Sequence, residues 1–200
     1  MIKRLIGLVM LVLVTGVVMA DTPVTGRAGR AELRFLEGMA DHHQMALDMA
    51  EHCLAKATNT EVKALCEAII TAQTAEITQM VGWIKTWYDV NYSPVAMIDS
   101  LMEMSKPNPH AGHGGAMPPQ SDPAMMMGMF AGLTRLTGNE YDVAWLESMI
   151  DHHDDALHMS ERVLEREGIH EETRLLAEAI ISAQTEEMTL METLLLALSN

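Results

Sequence analysis

The strongest constraint on the fold is an internal duplication. FLEGMADHHQMALDMAEHCL, starting at Phe35, aligns without gaps with WLESMIDHHDDALHMSERVL, starting at Trp145, at an offset of 110 residues. Downstream, CEAIITAQTAEITQM (Cys66 to Met80) aligns with AEAIISAQTEEMTLM (Ala177 to Met191) at an offset of 111. The chain carries two copies of one unit, with one extra residue in the second copy's turn. A repeat of this kind sets the architecture before local propensities do. Apolar residues recur in both copies with a period near 3.6, which predicts a pair of helices in each. The first hairpin is expected over 31–90, turning at 57–60, and the second over 140–198, turning near Gly168. Short turns make the paired helices antiparallel, and each hairpin alone leaves an apolar stripe uncovered. The predicted fold is therefore all-α. Two duplicated helical hairpins pack into a single four-helix bundle over 31–198, joined by a long Met/His-rich crossover linker at 91–139.

The ends and the linker read differently from the repeats. Lys3 and Arg4 precede an apolar run from Leu5 to Val18, and the segment closes on Val18-Met19-Ala20. This pattern predicts a secretory signal peptide over residues 1–20, cleaved after Ala20, with no retained membrane segment. A retained anchor is the alternative, for which the run is short. The expected location is periplasmic or secreted. In the linker, Pro94, Pro107, Pro109, Pro118, Pro119 and Pro123 break any long helix. Two short helices are expected, around 95–104 and 124–136.

The formal net charge is −15. That excludes nucleic-acid phosphate as a partner and suits cations. Which cation follows from the residue types on the buried faces. On a wheel of the first helix, Leu36, Met39, His43, Ala46, Ala50 and Leu54 share a face, with His42 on its flank beside Met49 and Cys53. The second copy repeats this with Met149, His153 and Ala156, and with His152 and Met159 on the flank. On the second helix of each hairpin, Glu76 and Glu187 fall near the centre of the apolar face. A carboxylate there is costly without a cationic or donor partner, and His43 and His153 are the candidates. Two matching inward sets result: Met39, His42, His43 and Met49 with Gln73, Glu76 and Met80, and Met149, His152, His153 and Met159 with Gln184, Glu187 and Met191.

Imidazole with thioether suits copper, and thioether favours Cu(I), with Cu(II) also served by imidazole. Silver follows from the same softness. Each carboxylate either ligates directly or orients an imidazole from behind. The competing reading is a structural His–Glu core pair with methionine as adaptable filler. The linker adds Met97, Met102, Met104, Met117, Met125, Met126, Met127 and Met129, together with His110 and His113. Met125–Met126–Met127 and Met129 cannot all face one core stripe, so this stretch reads as a soft-cation collector or as a pair of apolar caps.

Cys53 and Cys66 belong to the first hairpin only. A disulfide across its turn, buried free thiols and soft-metal ligation all remain open on spacing alone. His158 and His170 have no counterpart in the other copy and are expected at the surface. Neither repeat has the Glu-x-x-His spacing of di-iron bundles. No nucleophile elbow and no phosphate loop is present. The chain is therefore expected not to be an enzyme. A metal-dependent oxidoreductase on the same bundle, and a metal-free interaction bundle, are the alternatives.

Met39-Ala-Asp-His42-His43 with Met49-Ala50, followed by Gln73-x-x-Glu76-x-x-x-Met80, resembles the CopM-like periplasmic copper-binding family, long classed as a domain of unknown function. The second copy, with Leu136-Thr-Gly138 and Met149-Ile-Asp-His152-His153, matches that family's second half, so the resemblance covers about residues 31–198. It implies a ferritin-like four-helix bundle in an exported bacterial protein that binds copper and supports copper resistance or homeostasis. A periplasmic export or delivery partner for the copper would go with that role. The copies depart from each other at Ala40 against Ile150 and at Gln44-Met45 against Asp154-Asp155.

Overall fold

The computed structural model describes residues 22–95 and 132–199. These form four long helices and, among the described residues, no strand. They are α1 (Gly26–Lys56), α2 (Thr60–Tyr88), α3 (Gly138–Leu164) and α4 (Glu171–Leu198). α1 starts earlier than its apolar stripe, because Gly26–Arg30 offers no periodic pattern to read. Val24 crosses this first turn closely enough that a Cβ on Gly29 would lie 1.9 Å from its carbonyl oxygen. α3 ends at Leu164, four residues before the turn expected near Gly168. Its chain tightens through an Arg166 N–H to Val163 carbonyl bond of 2.9 Å and then turns at Gly168, whose φ is +75°. Arg174 donates back to the carbonyls of Leu164 and Arg166, satisfying acceptors left open at the helix end. The short helix expected at 95–104 lies outside the described residues except for Val95. Of the one expected at 124–136, Gly132 and Leu133 are helical.

The two hairpins meet through α1 and α3, which run antiparallel. Trp145 Nε1 on α3 donates to the Met49 carbonyl on α1 at 3.0 Å. Seven residues further along, His152 Nε2 donates to the His42 carbonyl, also at 3.0 Å. Residues 42 and 152 are equivalent in the duplication, so their meeting point lies on the pseudo-twofold axis of the molecule.

Two buried carboxylates, also equivalent in the duplication, fasten the ends of this contact. Asp142, near the start of α3, accepts from the Thr58 and Asn59 backbone N–H groups and from the Thr58 hydroxyl at 2.7–3.2 Å. Glu32, on α1, accepts from the His170 backbone N–H at 2.8 Å and faces its ring Nδ1 at 2.7 Å. Each hairpin's turn is thus held by a carboxylate from the other hairpin. His170 is buried, not at the surface as its lack of a counterpart suggested. Its ring stacks on Trp87 with centroids 3.8 Å apart, its Nε2 lies 3.0 Å from the Thr22 carbonyl, and Tyr88 donates to the same Glu32. His158 is exposed, as expected.

Cys53 and Cys66 form a disulfide with a Cα–Cα distance of 6.5 Å. Among the three readings left open by spacing, the cross-link across the first turn is the one realised. A loop of this size contributes about 3 kcal/mol in chain-entropy terms. The second hairpin has no such bond, and Val163 and Ala177 occupy the matching places.

The core divides into two apolar clusters. One, at the disulfide end, includes Met49, Cys53, Leu65, Ile69, Tyr141, Trp145, Met149 and Met191. The other includes Phe35, Leu36, Met39, Met80, Trp83, Trp87, Met159 and Ile180. On every helix the buried residues between the two clusters are polar, and these make a waist across the bundle.

Replacing Asp142 with Ala removes the buried acceptor that the Thr58 and Asn59 donors share. The expected loss is about 3 kcal/mol of unfolding free energy, measured by urea denaturation, with Asp142→Asn intermediate. A loss below 0.5 kcal/mol, within the usual range for surface substitutions, would rule out the clamp.

Candidate metal centre

Four imidazoles, two carboxylates and two amides form the waist. Its geometry follows from helix periodicity. His42 and His43 lie one turn beyond Met39, and Gln73 and Glu76 share one face of α2 three residues apart. The second hairpin repeats this with His152, His153, Gln184 and Glu187. All four histidines are at most 2% exposed, and both glutamines at most 3%.

His43 Nε2 donates to Glu76 Oε2 at 2.7 Å, and His153 Nε2 donates to Glu187 Oε2 at the same distance. A carboxylate on Nε2 fixes ring orientation and tautomer and leaves the lone pair on Nδ1. In both rings that Nδ1 is buried and has no partner within the protein. The two glutamates therefore stand behind the imidazoles, in the orienting position. On the pseudo-twofold axis His42 and His152 lie against each other, ring centroids 3.7 Å apart. Burial, and then the neighbouring imidazoles, push both of these rings well below the ordinary histidine range, so they are neutral.

The amides of Gln73 and Gln184 also lack partners at both oxygen and nitrogen. Most of the buried, partnerless side-chain atoms among the described residues belong to this waist. Burying such a group costs about 1–3 kcal/mol unless something complementary meets it. Neutral imidazole lone pairs in a dry site are met by a soft or borderline cation, which makes the donor set fit copper. Among the described residues, no three His, Cys, Asp or Glu side chains stand together as a ready-made cage. The additional donors available are thioethers.

The methionines are grouped differently from the two sets drawn on the helical wheels. Met39 and Met49 are ten residues apart on α1 and fall on opposite sides of the waist. Met39, Met80 and Met159, from α1, α2 and α3, lie in one apolar cluster. Met49, Met149 and Met191, from α1, α3 and α4, lie in the other. Each cluster thus draws thioethers from both hairpins, and all six are at most 2% exposed. His110, His113, Met117, Met125, Met126, Met127 and Met129 lie outside the described residues.

Glu32, Asp142 and the buried role of His170 were missed in the sequence. The signal for the first two was present: they align with each other at the same offset of 110.

A helical bundle with a buried waist of soft and borderline donors is the class of protein that this fold and site define. The family described as Domain of unknown function (DUF305) matches residues 32–195, and the chain belongs to that family. Among solved structures, a DUF305 protein from Streptomyces coelicolor, taken to be secreted, is 26% identical with a TM-score of 0.63, over 84% of this chain and 92% of that one. CopM in the Cu(II)-bound form is 27% identical with a TM-score of 0.60, over 83% of this chain and 96% of that one. CopM in the Cu(I)-bound form is 27% identical with a TM-score of 0.59, over 81% and 93%. CopM has also been crystallised in an Ag-bound form, 28% identical with a TM-score of 0.56 over 81% and 93%. No curated protein matches the chain. Among the described residues, no helix is long and apolar enough to cross a membrane.

The depressed histidines link stability to pH. An unfolded chain protonates His42 and His152 below about pH 6.5, while the folded chain does not. Their contribution is therefore intact above that pH and is lost as pH falls, by about 1.4 kcal/mol per unit for each ring. The melting temperature should drop steeply from pH 6.5 to 5. His42→Gln/His152→Gln should flatten that slope, and an unchanged slope in the double variant would reject the assignment.

Proposed function

We propose that this is an exported, non-catalytic copper-binding protein that sequesters or carries Cu(I), takes Cu(II) less readily, and accepts Ag(I). The observation that carries the reading is the pair of buried, oriented imidazoles with free Nδ1 lone pairs, His43 and His153. His42 and His152 add neutral imidazoles beside them. The thioethers of Met39, Met80 and Met159, and of Met49, Met149 and Met191, supply soft donors on either side. Glu76 and Glu187 act through the imidazoles they orient, and balance the charge of a bound cation. CopM, a relative of similar fold, is known in copper- and silver-bound forms, which supports the choice of metal.

Residues 1–20 serve in this reading as the export signal and 31–198 as the single binding domain. His110, His113, Met117, Met125, Met126, Met127 and Met129 collect soft cations and pass them to the bundle. The bound copper contributes to copper resistance or homeostasis, through hand-over to an export or delivery partner. The strong acidity of the chain draws cations toward it.

Anaerobic titration with Cu(I), in ascorbate and against a chromogenic Cu(I) chelator, tests this. The expected result is binding that His43→Ala/His153→Ala weakens by at least about a hundredfold, a loss of about 2.7 kcal/mol. Binding to the bundle should also raise its stability by about 2.7 kcal/mol at a free ion concentration of 100 times Kd. Equal Cu(I) affinity in the parent and the double variant would overturn the proposal.

A further inference from the structure

Beyond the waist, the first hairpin arranges its inward side chains in layers. The His43–Glu76 bond pairs α1 with α2 at the waist, and the Tyr88–Glu32 bond pairs them again at the end of the bundle. Between these two bonds the helices run antiparallel, so one turn beyond the waist Met39 comes opposite Met80. One turn further lie Phe35 and Leu36 on α1 and Trp83 on α2. Met159 enters the same cluster from α3.

Trp83 is buried and stacks on Trp87, with ring centroids 5.0 Å apart and planes 11° from parallel. Trp87 stacks in turn on His170, at 3.8 Å. This column of three rings rises toward the end of the bundle and occupies one face of Trp83. The other face looks back along α2, to the turn that carries Met80. Side chains lean toward the N-terminus of their own helix, which tilts His43 toward Met39 and Trp83 toward Met80. The thioether layer is therefore enclosed between an imidazole whose Nδ1 has no partner and the free face of an indole. Core filling does not call for indole here: the second copy carries Leu194 and Leu198 at the places of Trp83 and Trp87. An indole face attracts a cation through its ring quadrupole, most strongly where water is excluded. It offers no lone pair, so it suits a soft monovalent ion better than Cu(II), which takes nitrogen and oxygen donors in a tetragonal array.

We propose that Trp83 is a metal-contacting residue, whose indole face roofs a Cu(I) or Ag(I) ion held among His43, Met39 and Met80 and selects the monovalent ion over Cu(II). This rests on the copper reading above and adds to it a group that discriminates oxidation state.

The test labels the whole chain, disulfide intact, with fluorotryptophan and titrates it anaerobically with Cu(I) and separately with Ag(I), each against a competing chelator, with Cu(II) for comparison. The fluorine NMR signal of Trp83, assigned through Trp83→Phe, should move as either monovalent ion binds. Trp83→Leu, which installs the residue of the other copy, should weaken Cu(I) and Ag(I) binding about tenfold, as expected for a cation–π contact shielded from water. Its Cu(II) affinity should equal that of the parent. Trp83→Phe keeps an aromatic face and should lose less. Circular dichroism and thermal unfolding verify that both variants keep the fold. Equal Cu(I) affinity in the parent and Trp83→Leu would overturn the assignment. Equal losses in the Leu and Phe variants, or equal losses for Cu(I) and Cu(II), would also overturn it by showing a packing role alone. If the parent binds neither Cu(I) nor Ag(I), the copper reading itself fails.

Discussion

The antiparallel crossing of α1 and α3 at His42 and His152 is the contact on which the rest of the molecule depends. It is the main helix–helix junction between the two hairpins. The His152–His42 bond fixes the register of the crossing at its centre, and the Trp145–Met49 bond repeats it toward one end. Sliding one helix by a single residue would rotate its face by about 100°. That would take the imidazoles out of the waist, and Asp142 and Glu32 off the turns they hold. A polar centre is expensive to bury, and here it is enclosed by an apolar cluster on each side. Those clusters carry the large side chains, with Trp145 and Tyr141 in one and Trp83 and Trp87 in the other.

The same crossing decides where the thioethers go. Because α1 and α3 run in opposite directions through a common centre, Met39 falls in one cluster with Met159, and Met49 in the other with Met149. Met80 and Met191 join them from α2 and α4. Unbranched, polarizable side chains suit both tasks demanded at these places, filling irregular core space and offering a soft donor. A structural role for the six methionines and a metal role are therefore compatible at the same positions. The imidazoles distinguish the two, since their free Nδ1 atoms do nothing for packing.

Much of this was legible in the sequence. The offset repeat and the 3.6-residue period sufficed for four helices in two hairpins, and the wheel placed Glu76 opposite His43 and Glu187 opposite His153. What a wheel lacks is height: it shows the face a residue occupies, not the level at which it meets another helix. Met39 and Met49 therefore looked like members of one set although they lie on opposite sides of the waist. His170 looked exposed because it has no counterpart in the other copy, yet its partner Glu32 is 138 residues away. The Cys53–Cys66 bond could not be chosen over free thiols until the two helices had a defined distance.

The exchange of carboxylates between hairpins bears on how the bundle comes apart. Opening the first turn uncovers the Thr58 and Asn59 donors and at once leaves Asp142, part of the other hairpin, buried without its partners. Opening the second turn does the same to Glu32. Neither hairpin can loosen alone without raising the free energy of its neighbour. Local fraying at one end is thereby converted into a cost borne by both halves, and the four helices behave as one cooperative unit. The duplication copied a hairpin, but the smallest piece that satisfies its own backbone is the pair.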